Sequence, residues 1–170
     1  MKKPPLIFPL FLAVVAFFIN AHFFQGLHLL TFVPFLMICY IRKPLITSLY
    51  ISFFIGLLLD LVSYDTPFGI NSLCYPVIGL ILHTQRSHFF DDKSFSLGLY
   101  TAIFSLLASI IEPLLLSMFE NKQSLSWNMI FQNMFIMPFF DAVYAIIFFS
   151  LPIKAYSFIN KFIRHRSLEE

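Results

Sequence analysis

The chain has 170 residues, of which 59% are hydrophobic and only 12% are charged, and its formal net charge is +2. Soluble domains carry charge on about a quarter of their residues, so this composition excludes an ordinary water-soluble domain and predicts an all-α polytopic membrane protein. The Lys and Arg residues fall at the borders of apolar stretches, where membrane topology explains them, and nucleic-acid binding therefore has no support.

Apolar stretches of helical length follow one another along the chain and predict six transmembrane helices. The fourth is short for a spanning helix, which indicates local thinning of the bilayer or partial embedding. The first follows Lys2 and Lys3 and has no small-residue cleavage site after it, so we interpret it as an uncleaved span. The predicted spans are residues 6–24, 27–41, 45–61, 70–83, 95–119 and 127–152.

The basic residues divide unequally between the two sides that six spans define. All of the Lys and Arg residues except Lys122 fall on the side of the two termini. Cytoplasmic flanks carry such an excess, so both termini are predicted to be cytoplasmic and the turn at residues 63–69 to face outward. Merging or removing a span would scramble this division, which favours six spans.

Two parts are expected: a transmembrane domain at residues 1–153 and a basic cytoplasmic tail at residues 154–170. Ile159, Phe162 and Ile163 share one face of a helix in the tail. This pattern is typical of an amphipathic helix on anionic membrane lipid. The alternative is that the tail only anchors the sixth span.

The stretch 56–80 interrupts this run of lipid-facing helices. An apolar helix meets a carboxylate there and then breaks in a polar turn before the next apolar run. A carboxylate at the end of a membrane helix is costly to desolvate, and a turn at that depth needs partners for its backbone groups. The stretch is therefore a water-facing rim or a joint buried in protein. Its candidate site residues are Asp60, Ser63, Asp65, Pro67, Gly69 and Asn71.

Three acids, Asp60, Glu112 and Asp141, lie within or at the edge of predicted spans, and no Lys or Arg shares the interior with them. Each must be protonated, solvated, hydrogen-bonded to neutral groups or matched by a base from a partner. One interpretation is a polar pocket or partner-docking groove that opens to the outer half of the membrane. The other is three separate hydrogen bonds that hold helices together.

Catalytic and cofactor signatures do not emerge from the sequence. It contains no G-x-S-x-G motif, glycine-rich phosphate loop or paired-carboxylate motif. His83, His88, Asp91 and Asp92 share a polar loop, but their spacing matches no known metal site. We therefore expect no enzyme activity, no catalytic residue, no metal and no cofactor.

One pattern in this stretch resembles a known family. It reads G-L-L-x-D, then P-x-G and N-x-L, and its residues are Gly56, Leu57, Leu58, Asp60, Pro67, Gly69, Asn71 and Leu73. Together with the length, the hydropathy and the basic tail, it resembles the bacterial rod-shape-determining protein MreD family. The specific part of the likeness is this stretch, whereas the rest agrees by hydropathy.

The resemblance implies a non-enzymatic scaffold subunit of the cell-elongation complex (the elongasome) in the bacterial inner membrane. Such a subunit supports lateral peptidoglycan synthesis and cell-shape control. Its implied partners are an MreC-like periplasmic scaffold, an MreB-like cytoskeleton and the peptidoglycan glycosyltransferase and transpeptidase. We expect spans three and four to present Asp60 to a partner's transmembrane segment. No catalytic residue carries over.

At the level of fold, the resemblance also implies similarity to the substrate-binding subunits of energy-coupling-factor transporters. A vitamin-transporter subunit is therefore the alternative function. Such subunits use an A-x-x-x-A face on the first helix to grip their coupling subunit. Here Phe17 stands four residues after Ala13 and Asn20 stands four after Ala16, so that face is missing. A third possibility, an intramembrane enzyme, lacks a recognisable nucleophile–base pair.

Overall fold

A computed structural model describes residues 5–23, 30–62, 67–84, 94–119, 132–156 and 158. Every regular element among these residues is helical, which confirms the predicted all-α class. The last helix consists of an α-helical segment between two π-helical turns, Gln132–Ile136 and Ile146–Ser150, and it continues through residues 151–156. The α-helices are α1 (Ile7–Phe23), α2 (Val33–Arg42), α3 (Leu45–Val62), α4 (Ile70–Thr84), α5 (Ser94–Phe119) and α6 (Met137–Ala145).

Three stretches of the described chain are long and apolar enough to cross a membrane: Leu45–Val62, Ser96–Met118 and Met134–Tyr156. The apolar helices of the first, second and fourth predicted spans are shorter. Their lengths and compositions together indicate a membrane protein.

The second predicted span differs from the observed helix. The sequence predicts a start at residue 27, whereas α2 begins at Val33 and has Pro34 in its first turn. Proline is favoured in the first turn because the N–H that it lacks has no helical partner there. Residues 30–32 precede α2 as a turn, and residues 24–29 lie outside the described part of the chain.

Helix α2 lies at the centre of the bundle, and every residue from Thr31 to Tyr40 is buried. One side of α2, including Leu36 and Tyr40, packs in a cluster with residues of α4 and α5. The opposite side, including Phe35, packs with residues of α1 and the last helix. A helix that is apolar on all sides is covered by protein or by lipid, and α2 is covered by protein. Its ten residues span only about 15 Å, roughly half of a bilayer's hydrocarbon core.

The start of α1 and the end of the last helix meet. The ring of Phe8 packs against the ring of Tyr156 in a tilted arrangement, with centroids 5.1 Å apart. These two ends of the described chain therefore lie at the same end of the bundle. Residues 154–156, the first residues of the predicted tail, continue the last helix. Beyond Phe158, the tail lies outside the described residues.

Candidate functional site

The carboxylate of Asp60 joins the last turn of α3 to the first turn of α4. One oxygen accepts a hydrogen bond from the Asn71 amide at 3.0 Å, and the other accepts one from the Ser72 amide at 3.0 Å. The first N–H groups of a helix lack helical partners and carry partial positive charge, so a carboxylate stabilises them. Asp60 is 4% exposed. It therefore faces inward as a cap for α4, and its carboxylate is covered by the chain's own backbone.

Gly56, one turn before Asp60, allows α3 to approach α4 closely. A Cβ atom at Gly56 would lie 2.5 Å from the Asn71 carbonyl oxygen and 2.6 Å from the Cα atom of Ser72. Neither backbone atom can yield easily. Glycine is therefore required where these two helices meet, and this contact brings Asp60 within reach of the α4 amides.

The turn before α4 also depends on glycine. Gly69 has a φ angle of +103°, a conformation that L-residues with a Cβ atom rarely adopt. Its carbonyl accepts the backbone bond from Leu73 and a bond from the Ser72 hydroxyl at 2.9 Å. Pro67 accepts a backbone bond from Ile70. Gly69 thus redirects the chain so that the first amides of α4 point at Asp60.

Gly56 and Asp60 belong to a stripe of buried small and polar residues on α3, together with Ser48 and Ser52. The Ser52 hydroxyl donates to the Leu49 carbonyl, so it accepts from the Tyr40 hydroxyl at 2.9 Å. The two serines were not among the candidate residues predicted from the sequence. The signal that could have found them is the four-residue spacing S-x-x-x-S-x-x-x-G-x-x-x-D, because small residues at this spacing form close helix–helix contacts in membranes.

A second buried carboxylate, Asp141, holds the backbone that leads into α2. It accepts a hydrogen bond from the Leu30 amide at 3.0 Å and another from the Ser105 hydroxyl at 2.6 Å. Asp141 is 0% exposed. One turn later, the Tyr144 hydroxyl donates to the Thr31 carbonyl at 3.3 Å. Two side chains of α6 therefore satisfy polar backbone groups that precede the buried α2.

Asp141 lies on the α-helical segment between the two π-helical turns of the last helix. Such turns widen a helix locally and occur often at functional positions. Gly98 of α5 packs next to the second turn: a Cβ atom there would lie 2.8 Å from Ile146 Cγ1 and 3.3 Å from the Ala142 carbonyl oxygen. The close packing of α5 on the last helix brings Ser105 to Asp141.

The three acids that the sequence places on three different helices all act on one residue of α4. Tyr75 is 2% exposed, and Asp60, Glu112 and Asp141 all lie within electrostatic range of its hydroxyl. Its ring packs edge-on against Phe104 of α5, with centroids 5.4 Å apart. Tyr75 itself belongs to the hydrophobic core that α2, α4 and α5 share.

The remaining candidate residues take a smaller part in these contacts. Asn71 contributes its backbone amide to Asp60, and Glu112 is partly buried on α5. Ser63 and Asp65 lie outside the described residues. Because both oxygens of Asp60 and both of Asp141 accept hydrogen bonds, the observed geometry gives these two acids a joining role between helices. In the described ranges, no group of three or more His, Cys, Asp or Glu side chains could hold a metal ion.

Comparison of the chain with protein-family models, curated proteins and solved structures finds no match.

Proposed function

We propose that this chain is a non-enzymatic scaffold subunit of the bacterial cell-elongation complex, of the MreD type, in the inner membrane. The observation that carries the proposal is the interdependence of Gly56, Asp60, Gly69 and Asn71. Gly56 allows the helices to touch, Gly69 turns the chain, and Asp60 caps α4 at Asn71. These four residues of the sequence pattern form a single joint between two helices. Such agreement is more specific than a shared hydropathy profile, and it supports the resemblance.

The proposal includes six membrane crossings with both termini in the cytoplasm. The contact between Phe8 and Tyr156 supports an even number of crossings, because it joins the two ends of the described bundle. The concentration of Lys and Arg on one side supports the orientation. The short helix α2 is compatible with a crossing, since the turn before it is enclosed by protein and bonded to Asp141 and Tyr144.

Partner binding would use the outward sides of α3 and α4, since Asp60 is engaged inside the joint. Phe54 and Leu58 of α3 are 62% and 49% exposed, and Leu73 of α4 is 49% exposed. Buried polar contacts between membrane helices contribute only about 0.6 kcal/mol each, so apolar shape must supply much of the affinity. We propose that the transmembrane segment of an MreC-like scaffold packs here.

The other proposed contacts follow from the topology. The peptidoglycan glycosyltransferase and transpeptidase would pack beside the same bundle in the membrane. An MreB-like cytoskeleton and anionic lipid would meet the cytoplasmic side, where the basic tail lies. In this role the chain positions its partners and performs no chemistry.

Photocrosslinking in cells tests the partner surface. A photoreactive residue at Phe54 or Leu58 should capture an MreC-like protein, whereas the same residue at Phe18 of α1, 68% exposed, should not. Capture of the motor of a vitamin-uptake transporter from the α3 positions would overturn the proposal. Co-purification in mild detergent, with identification of bound small molecules, gives an independent check.

The packing of α1 argues against the transporter alternative. Ala13 and Ala16, its small residues, are 0% and 1% exposed because they pack against the chain's own core. A coupling subunit could not reach them without opening the bundle. The outward side of α1 carries larger residues such as Phe11 and Phe18.

Thiol labelling tests the orientation. Cys39 and Cys74 are both buried, so a cysteine at Phe68, which is 65% exposed, should be the reactive thiol in a Phe68→Cys variant. A reagent that cannot cross the membrane should label it from the outside of spheroplasts. Labelling only after the cytoplasmic side is opened would reverse the proposed orientation.

A further inference from the structure

Three hydroxyl residues follow one another at four-residue spacing on α5, and the middle one behaves differently. Thr101 donates to the Leu97 carbonyl at 2.8 Å, and Ser109 donates to the Ser105 carbonyl at 2.9 Å. Each thus bonds to the carbonyl four residues earlier. Ser105 instead donates to Asp141 at 2.6 Å, although the equivalent acceptor for it is the Thr101 carbonyl.

This exception matters because a serine hydroxyl can reverse its hydrogen bond. It carries one proton to donate and lone pairs with which to accept. If Asp141 carries a proton on Oδ2, that proton can be donated to Ser105 Oγ, and the Ser105 proton can turn to the Thr101 carbonyl. Oδ1 still accepts from the Leu30 amide. The site can therefore hold Asp141 in either protonation state without leaving a polar group unpaired.

The site of Asp60 has no such freedom. Both of its partners, the amides of Asn71 and Ser72, can only donate. The two buried carboxylates therefore differ in their partners: both partners of Asp60 can only donate, whereas Ser105 beside Asp141 can donate or accept.

We propose that Asp141 and Ser105 form a proton-responsive latch on the backbone that leads into α2. With Asp141 ionised, its carboxylate holds the Leu30 amide by a charge-assisted hydrogen bond, about twice as strong as a neutral one. When Asp141 takes up a proton from water, Ser105 reverses and the Leu30 amide is held by a neutral acceptor. The turn before α2 is then less firmly attached to the last helix.

Among the described residues, the groups that act on Asp141 are the Ser105 hydroxyl and the Leu30 amide, and neither carries a positive charge. Tyr144, on the same helix, and Tyr75, on α4, both lie within its electrostatic range. The other groups that act on Tyr75 are Glu112 of α5, Cys74 of α4 and Asp60 of α3. All of these groups are neutral or become negative. Proton uptake at Asp141 would therefore reduce repulsion in the region.

Two measurements on the full chain in lipid nanodiscs test the latch. Hydrogen exchange of the Leu30 amide, corrected for its intrinsic pH dependence, should be about tenfold faster at acidic than at neutral pH, as expected for loss of a charge-assisted bond. The infrared difference between wild type and Asp141→Asn should show a protonated carboxyl band that appears with the same midpoint. In Asp141→Asn, the exchange response should be absent. Ser109→Ala is the matched control, because Ser109 lies one turn further along α5 and its hydroxyl donates to the Ser105 carbonyl. This variant should retain both responses.

The proposal is overturned if Leu30 exchange does not respond to pH in the wild type, or if the infrared difference between wild type and Asp141→Asn contains no carboxyl band. If Asp141→Asn does not fold, the pH response of Leu30 exchange in the wild type still tests the proposal. Equal midpoints of the exchange response and the infrared band support the latch, and different midpoints contradict it.

Discussion

Gly56 lies directly against Ser72, so that a Cβ atom at Gly56 would come within 2.6 Å of the Ser72 Cα atom. This contact and the Asp60 carboxylate are parts of one geometry, since Asp60 follows Gly56 by one helical turn on the same buried side of α3. The backbone approach at Gly56 sets the distance over which Asp60 reaches the Ser72 amide.

Replacing Gly56 should weaken the joint. Gly56→Ala is expected to lower the free energy of unfolding by about 1–3 kcal/mol, the usual effect of overpacking, because the added methyl group meets backbone atoms of α4. Thermal unfolding in mild detergent measures this. Leu58→Ala, at a position 49% exposed on the same helix, is the control and should change stability little. Equal stability of Gly56→Ala and wild type would contradict the close contact.

The two buried aspartates should respond differently to conversion into asparagine. In Asp60→Asn, the new NH₂ group must face an N–H donor of α4, and an unsatisfied buried group costs about 1–3 kcal/mol. In Asp141→Asn, the NH₂ group can donate to Ser105 while the oxygen accepts from Leu30. We expect Asp60→Asn to be the more destabilising in the same unfolding assay. The reverse order would refute the distinction between the two sites.

Replacing Gly69 should lower stability through backbone strain and not through steric overlap. No atom lies within 4 Å of a Cβ built there, but its φ angle is +103°. Gly69→Ala should therefore lower stability by backbone strain alone, about 1–2 kcal/mol. Gly69→Asn should lower it less, because asparagine tolerates positive φ better. The comparison of the two variants by thermal unfolding checks this, and a greater loss for asparagine would indicate a steric cause instead.

The hydrogen bond between Tyr40 and Ser52 should make a small, measurable contribution. A double-mutant cycle of Tyr40→Phe and Ser52→Ala is expected to give a coupling energy of about 0.6 kcal/mol, the average for such bonds between membrane helices. Tyr40→Phe with Ser48→Ala serves as the control pair, since Ser48 donates to the Cys39 and Pro44 carbonyls. A coupling energy near zero for the Tyr40–Ser52 pair would indicate that these residues stabilise the protein by packing and not by their hydrogen bond.

Helical class and most helix bounds were predictable because apolar runs of this length have few alternatives. The predicted spans 45–61, 70–83 and 95–119 agree with α3, α4 and α5 to within one residue at either end. The start of α2 was not predictable by hydropathy, since residues 27–32 are as apolar as the helix that follows. The position of Pro34 was the available signal.

The sequence by itself determined that the chain is apolar, helical and interrupted by acids at Asp60, Glu112 and Asp141. It could not determine where those acids point, because a helical pattern gives the face of a residue and not its neighbour on another helix. Only the tertiary structure decided that Asp60 caps α4 and that Asp141 holds the backbone before α2. Both contacts join residues distant in the chain, and they form because buried amide and carboxylate groups must find partners inside the bundle.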